Sequence, residues 1–236
     1  MSIVLIIGAG PNVGQSCADV FANAGFQVAV ASRTRKLDAK YRHYVFDAYK
    51  PETVPALFEQ VSSELGAPSV VIYNAYAHEG TPKDNPFAQD IETLQKNSNV
   101  NTISPYLAAR EAVKCFEKLG SSGLGPSGAT FIFTGNLLNQ SVIAGLMPFG
   151  MGKTTTAYMI QHLALAAYDG KPYKFYYADE RHEDGSFMTY DLNGDAHADA
   201  YLELASDSKQ RAWDYTFVKG KGYVEFARQE IMQWSG

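Results

Sequence analysis

The sequence is short of several features that would direct it elsewhere. It has two cysteines, Cys17 and Cys115, far apart and without metal-ligand spacing. That excludes a disulfide-stapled secreted scaffold and fits two small buried thiols in a reducing cytosol. It has no apolar run near the roughly 20 residues that a bilayer-spanning helix needs; the longest, such as Ile3–Ile7 and Val70–Tyr73, are strand-sized. It has no excess of positive charge, with 20 basic against 25 acidic residues and a net charge of −5. Neither nucleic acid nor a membrane surface is therefore expected as a partner, although a local basic patch can still hold a phosphate. Met1-Ser2-Ile3-Val4 enters an apolar strand directly, without the pattern of a targeting peptide, so a cytoplasmic location is expected. Core-forming residues are not lacking. At 46% apolar and 13% aromatic, the 236 residues suffice for one substantial core and are too few for two enzyme domains.

Short apolar runs alternate with helical patterns. Strands are predicted at Ile3–Ile7, Gln27–Ala31, Tyr44–Phe46, Ser69–Tyr73, Ala129–Thr134 and Tyr173–Ala178, with a possible last strand at Tyr215–Val218. Helices are predicted at Val13–Ala24, Pro51–Leu65, Ile91–Leu119, Gly152–Tyr168 and Asp199–Trp213, and Ser121–Ser127 reads as a Gly/Ser/Pro-rich loop. Continuously apolar strands separated by helices imply a mainly parallel sheet covered on both faces. The expected architecture is a single α/β, doubly wound, Rossmann-type domain of six or seven strands over residues 1–236, with residues 179–213 as a variable lid.

Gly8-Ala9-Gly10-Pro11-Asn12-Val13-Gly14 falls between the first strand and the first helix, where a dinucleotide's pyrophosphate meets a helix N-terminus. Gly8 suits a tight turn, Gly10 a close backbone approach, and Gly14 the packing of helix on strand. The second strand ends in Ala31-Ser32-Arg33-Thr34-Arg35-Lys36 rather than in a carboxylate that would grip a ribose 2′-hydroxyl. Three cations and two hydroxyls match a 2′-phosphate, so NADP is expected in preference to NAD.

With these residues in place, the sequence resembles the short-chain dehydrogenase/reductase family over about residues 3–178. Phe46-Asp47-Ala48 is similar to that family's adenine-holding segment, with Asp47 as the base-contacting carboxylate. Val70-Val71-Ile72-Tyr73-Asn74-Ala75-Tyr76 resembles its strand-four motif, and Val100-Asn101-Thr102 carries its helix asparagine, which supports a proton-relay water. The resemblance implies a nicotinamide cofactor. Lys153 matches the family's catalytic lysine, which holds the nicotinamide ribose and lowers the pKa of a tyrosine four residues earlier. Here that position is Phe149, and the family's serine, thirteen residues before it, is Asn136. Phe149 has no proton to give. Two readings follow: a reductase with a displaced acid, with Tyr76, His78, Tyr73 and water relayed through Asn101 and Lys153 as candidates, or an inactive NADP(H)-binding sensor or scaffold. The segment from Asp195 to Lys219 also resembles a less-characterised branch that carries Phe at the tyrosine position.

Other patterns are weaker. Gly150-Met151-Gly152-Lys153-Thr154-Thr155 lacks the first glycine of a triphosphate P-loop, since that position is Met147. Asp191-Leu192-Asn193-Gly194-Asp195 begins like a calcium loop but has Ala196 and Leu202 where Gly and Glu are required. His182, His197 and the acidic run Asp179–Asp184 lack metal-ligand spacing and read as solvated loop, so no metal is expected. Tyr76, Phe87, Met147, Phe149 and Phe187 offer either an apolar substrate wall or ordinary packing. In the family, the two long helices pair across a two-fold axis, so the resemblance implies a homodimer or homotetramer.

Overall fold

In the computed structural model, which describes residues 1–189 and 191–228, one sheet carries the architecture. Tyr190 of the expected lid and the last eight residues of the expected domain lie outside the described residues. Seven strands are parallel in the order β3-β2-β1-β4-β5-β6-β7: β1 (Ile3–Ile7), β2 (Gln27–Ser32), β3 (Arg42–Val45), β4 (Val70–Tyr73), β5 (Ala129–Thr134), β6 (Tyr173–Glu180) and β7 (Asp214–Val218). An antiparallel β8 (Gly222–Tyr223) makes eight, against the six or seven expected, because two residues are too short to leave a period-two pattern. The fold is a Rossmann-like, mainly parallel α/β sheet.

The helices divide between the two faces. Helices α2 (Val54–Glu64), α4 (Ser104–Leu124) and α5 (Met147–His162) cover one face, where Leu5, Val71, Phe131, Phe175 and Tyr177 are buried. Helices α1 (Val13–Asn23) and α6 (Gly194–Ser206) cover the other, over Val4, Ile6, Ile132, Tyr176 and Ala178. Along β6, successive side chains therefore go to opposite layers. Cys17 and Cys115 are buried and free. Among the described residues, no helix is long and apolar enough to cross a membrane.

Several boundaries depart from the expectations above. The predicted helix Ile91–Leu119 is α3 (Ile91–Ser98), a wider π-helical turn at Asn99–Ile103, and then α4, which continues through Leu124; only Gly120 (φ 59) interrupts it, so the expected loop at 121–127 begins late. α5 starts five residues before Gly152. Pro148 sits in its first turn, and Gly152 serves close approach: a Cβ there would come within 2.5 Å of the Asn101 Cβ. The helix expected at Asp199–Trp213 is shifted toward the N-terminus, with the Asn193 side chain capping the Ala196 N–H at 2.9 Å. It stops at Ser206 because the buried Lys174 ammonium donates to the final carbonyls of Leu204 and Ala205 at 2.7 and 3.1 Å and to that of Asp207.

Candidate functional site

The strand order turns between β1 and β4, and in a doubly wound sheet ligands settle outside the carboxyl ends of the strands at such a point. A cleft of about 1030 Å³ lies there, walled by the residues that follow β1, β2, β3, β4, β5 and β6.

At one end stands the glycine turn. Gly8 has φ +85, and a Cβ there would fall 2.3 Å from the Ala75 backbone nitrogen, so the turn and the end of β4 touch main chain to main chain. The Asn74 side chain fastens the approach by donating to the Gly8 carbonyl at 3.0 Å. Gly10, Asn12 and Val13 line the cleft, and a Cβ on Gly10 would meet no protein atom within 4 Å, which leaves its backbone open to a ligand. Gly14 stands behind the cleft wall: its would-be Cβ lies 2.8 Å from Ala9 Cα, so it lets the helix pack closely on the turn. Asn12 does not cap α1. It donates to the Leu192 carbonyl at 2.9 Å and so ties the turn to the segment before α6.

Beside the turn, Ser32, Arg33, Thr34 and Lys36 line the cleft, whereas Arg35 does not. Arg33 stacks over the Tyr49 ring at 5.6 Å. Asp47 and Ala48 follow β3 into the same wall, and the Asp47 carboxylate accepts from the Tyr49 N–H at 3.1 Å. The π-helical turn holds this loop, with Asn99 donating to the Tyr49 carbonyl; Ser104, which opens α4, donates to that of Ala48.

At the other end, Thr134, Gly135 and Asn136 leave β5 opposite α5. Lys153 Nζ donates to the Thr134 carbonyl at 2.8 Å and lies over the Phe133 and Phe149 rings at 4.5 and 5.3 Å. The side chain is buried, and burial pulls its pKa down to about 7 against the opposing charge of Asp179. Phe149, one turn earlier, packs among Leu137, Leu138, Ile143 and Leu146 and meets the His78 ring edge-on at 5.2 Å. Asn136 is held by its main chain, which both donates to and accepts from the Tyr177 hydroxyl, while its Oδ1 caps the Leu138 N–H. Tyr76 and His78 are exposed at the cleft.

Three candidates are corrected: Tyr73, Phe87 and Met147. Tyr73 is a core residue; its hydroxyl donates to the Val100 carbonyl at 2.7 Å, and burial pushes its pKa up. Asn101 is buried outside the cleft wall, its amide engaged by the Ala77 N–H and carbonyl and its own carbonyl by Thr156. Its side chain thus clamps the loop after β4. Of the proposed apolar wall, Phe87 and Met147 lie elsewhere, while Tyr76, Phe149 and Phe187 line the cleft.

The larger correction concerns the acidic run. β6 does not end at Ala178, and Asp179, Glu180 and Arg181 are only 1%, 2% and 2% exposed. The Arg181 Nε donates to Asp179, and its Nη1 donates to the Gly185 carbonyl at 3.1 Å. Glu180 accepts from the Asn193 N–H at 2.8 Å and lies 3.3 Å from His197, which is fully buried in α6. Asp179 and Glu180 line the cleft. The signal that could have located them was the strand pattern, which runs on through 180 once buried polar residues are admitted.

The short chain dehydrogenase family matches residues 2–166, and the chain belongs to that family. A short chain dehydrogenase/reductase of Cryptosporiopsis sp. (strain 8999) is 40% identical over 237 residues, covering 95% of this chain and 94% of the relative. Among solved structures, a metagenomic short-chain oxidoreductase in complex with NADP superposes with a TM-score of 0.75 at 14% identity, covering 92% of this chain and 96% of the other. An NADH-dependent reductase complexed with NAD gives 0.74 at 17%, covering 87% and 88%. These two are alike in fold and differ in the dinucleotide they hold.

Proposed function

We propose that the chain is an oxidoreductase that binds NADP in this cleft and moves hydride between it and a small carbonyl or alcohol, with a proton donor other than tyrosine. The observation that carries the reading is that one cleft joins the Gly8–Val13 turn and the Ser32–Lys36 segment to Lys153. The α1 first-turn amides and the bare Gly10 backbone fit a pyrophosphate. Ser32, Arg33 and Lys36 fit a 2′-phosphate, Asp47 and Ala48 the adenine, and Asn74, Ala75 and Lys153 the nicotinamide half. Bound there, the nicotinamide supplies or accepts the hydride. The chain's own part is to hold the nucleotide, exclude water with Phe149, Phe187 and Leu146, and deliver a proton to the substrate oxygen.

Phe149 stands where the family places its tyrosine, so that proton needs another source. Lys153 fits: it lines the cleft, a carbonyl fixes its Nζ, and its pKa near 7 leaves the proton nearly balanced at neutral pH. The exposed apolar side chains Ile103, Tyr106, Met151 and Tyr158 in the α4–α5 region support a homodimer or homotetramer, which light scattering tests.

Calorimetry with NADP and NAD in both redox states, followed by transfer of deuterium from reduced C4-deuterated nucleotide to a panel of aldehydes and ketones, tests the reading. NADP binding with deuterium in the product alcohol is expected. No heat with any nucleotide would remove the cofactor, and binding without transfer would remove the chemistry. Phe149→Tyr tests the donor: a rise in turnover means that the native site lacks a tyrosine's acid, and a fall means that another group already serves.

A further inference from the structure

The alternation of β6 places a second charged group, Asp179, in the layer of α5, which carries Lys153. Phe175 and Tyr177 are buried in the layer of α4 and α5, and Tyr176 and Ala178 in that of α1 and α6. Continued outward, the same alternation sends Asp179 toward α5 and Glu180 toward α6, and the Glu180–His197 contact of 3.3 Å agrees. Register does the rest. Thr134 of β5 pairs with Ala178, so Asp179 lies one step beyond the strand position whose partner carbonyl accepts from Lys153. Both side chains line the same cleft, and both are at least 97% buried.

We propose that Asp179 is a positioning residue that keeps the Lys153 ammonium charged inside the cleft, with Arg181 as the counter-ion that keeps Asp179 ionised. A buried ammonium loses its proton readily, and a nearby carboxylate opposes that loss. Arg181 is itself anchored through Gly185, so the three groups form a chain from the lid to the cleft. The groups that act on Asp179 are Arg181 next to it, Lys153 from α5 and Asp214 from β7, and Asp179 in turn raises the phenols of Tyr177 and Tyr201. Burial and Asp214 raise its pKa, Arg181 and Lys153 lower it, and the balance lies at about 7. The Asp179 carboxylate thus favours the charged form of Lys153, and Arg181 and Lys153 favour the ionised form of Asp179.

This inference rests on the proposed role of Lys153, but its decisive measurement needs no nucleotide. Reductive ¹³C-methylation of the free protein, with Lys153→Met to assign the signal, lets the lysine be titrated by NMR. In Asp179→Asn the Lys153 midpoint falls by about one pH unit, and Arg181→Met moves it the same way by less. Asp179→Glu restores most of the shift. An unchanged midpoint in a folded Asp179→Asn overturns the proposal. If Asp179→Asn does not fold, an unchanged midpoint in Arg181→Met does so instead. Nucleotide calorimetry on the same proteins separates the two failures: no binding by the unmutated protein defeats the cofactor reading and leaves the titration result standing.

Discussion

The cleft has two ends built on opposite principles. The turn end is made of backbone and exposed charge: a glycine at φ +85, a second glycine with nothing beside it, and Ser32 and Arg33 at the end of a strand. The β6 end is made of buried side chains, with Lys153, Asp179, Arg181 and Glu180 nearly sealed from water and His197 behind them. At the second end, burial decides the charge states. In the proposed function, binding specificity falls to the first end and proton handling to the second.

The sharpest break between them is Lys153→Met. Removing the ammonium is expected to lower kcat by about 10²- to 10⁴-fold, the usual worth of a positioned acid, with the fold kept by circular dichroism. Steady-state reduction of a carbonyl substrate measures it. A loss under tenfold would give the chemistry to Tyr76 or His78.

Next is the contact that joins the turn to β4. Gly8→Ala places a methyl 2.3 Å from the Ala75 nitrogen in a backbone region that L-residues avoid. A loss of about 3 kcal/mol or more in denaturant unfolding is expected; Gly10→Ala, which meets nothing, should cost under about 1 kcal/mol.

The β6–α6 end also predicts an acid response. Burial lowers the His197 pKa to about 4 from its ordinary 6.5, and the Nδ1 contact with the Asn193 carbonyl suits the neutral ring. The unfolded chain takes up this proton first, so the contribution is complete above pH 6.5 and is lost as pH falls toward 4. The loss amounts to roughly 3 kcal/mol. Denaturant melts at several pH values check this, and His197→Phe should flatten the acid limb.

The smallest effect belongs to the exposed end. Arg33→Ala is expected to weaken NADP binding about tenfold while sparing NAD. Equal calorimetric affinities of the unmutated protein for both nucleotides would remove the 2′-phosphate role.

These ends also differ in how legible they were. Gly8 and Gly10, named from the glycine turn, and Asn74, Ala75 and Lys153, named from the resemblance, all line one cleft, because each marks a local feature: a turn, a strand end, one face of a helix. Asp179, Arg181 and His197 were read as solvated loop because an isolated charge in a sequence is almost always on the surface. Their burial depends on β7 and α6 closing over them, and those elements lie well downstream. Tyr73 failed for the related reason that its polar group is spent on the backbone instead, at the Val100 carbonyl.

Local order determined the sheet, its parallel sense and the glycine turn, because apolar period, helix starts and backbone freedom are properties of neighbouring residues. Tertiary structure alone decided which charges were withdrawn from water, since that depends on what packs above them. With it came the pKa of Lys153 and the company of Asp179.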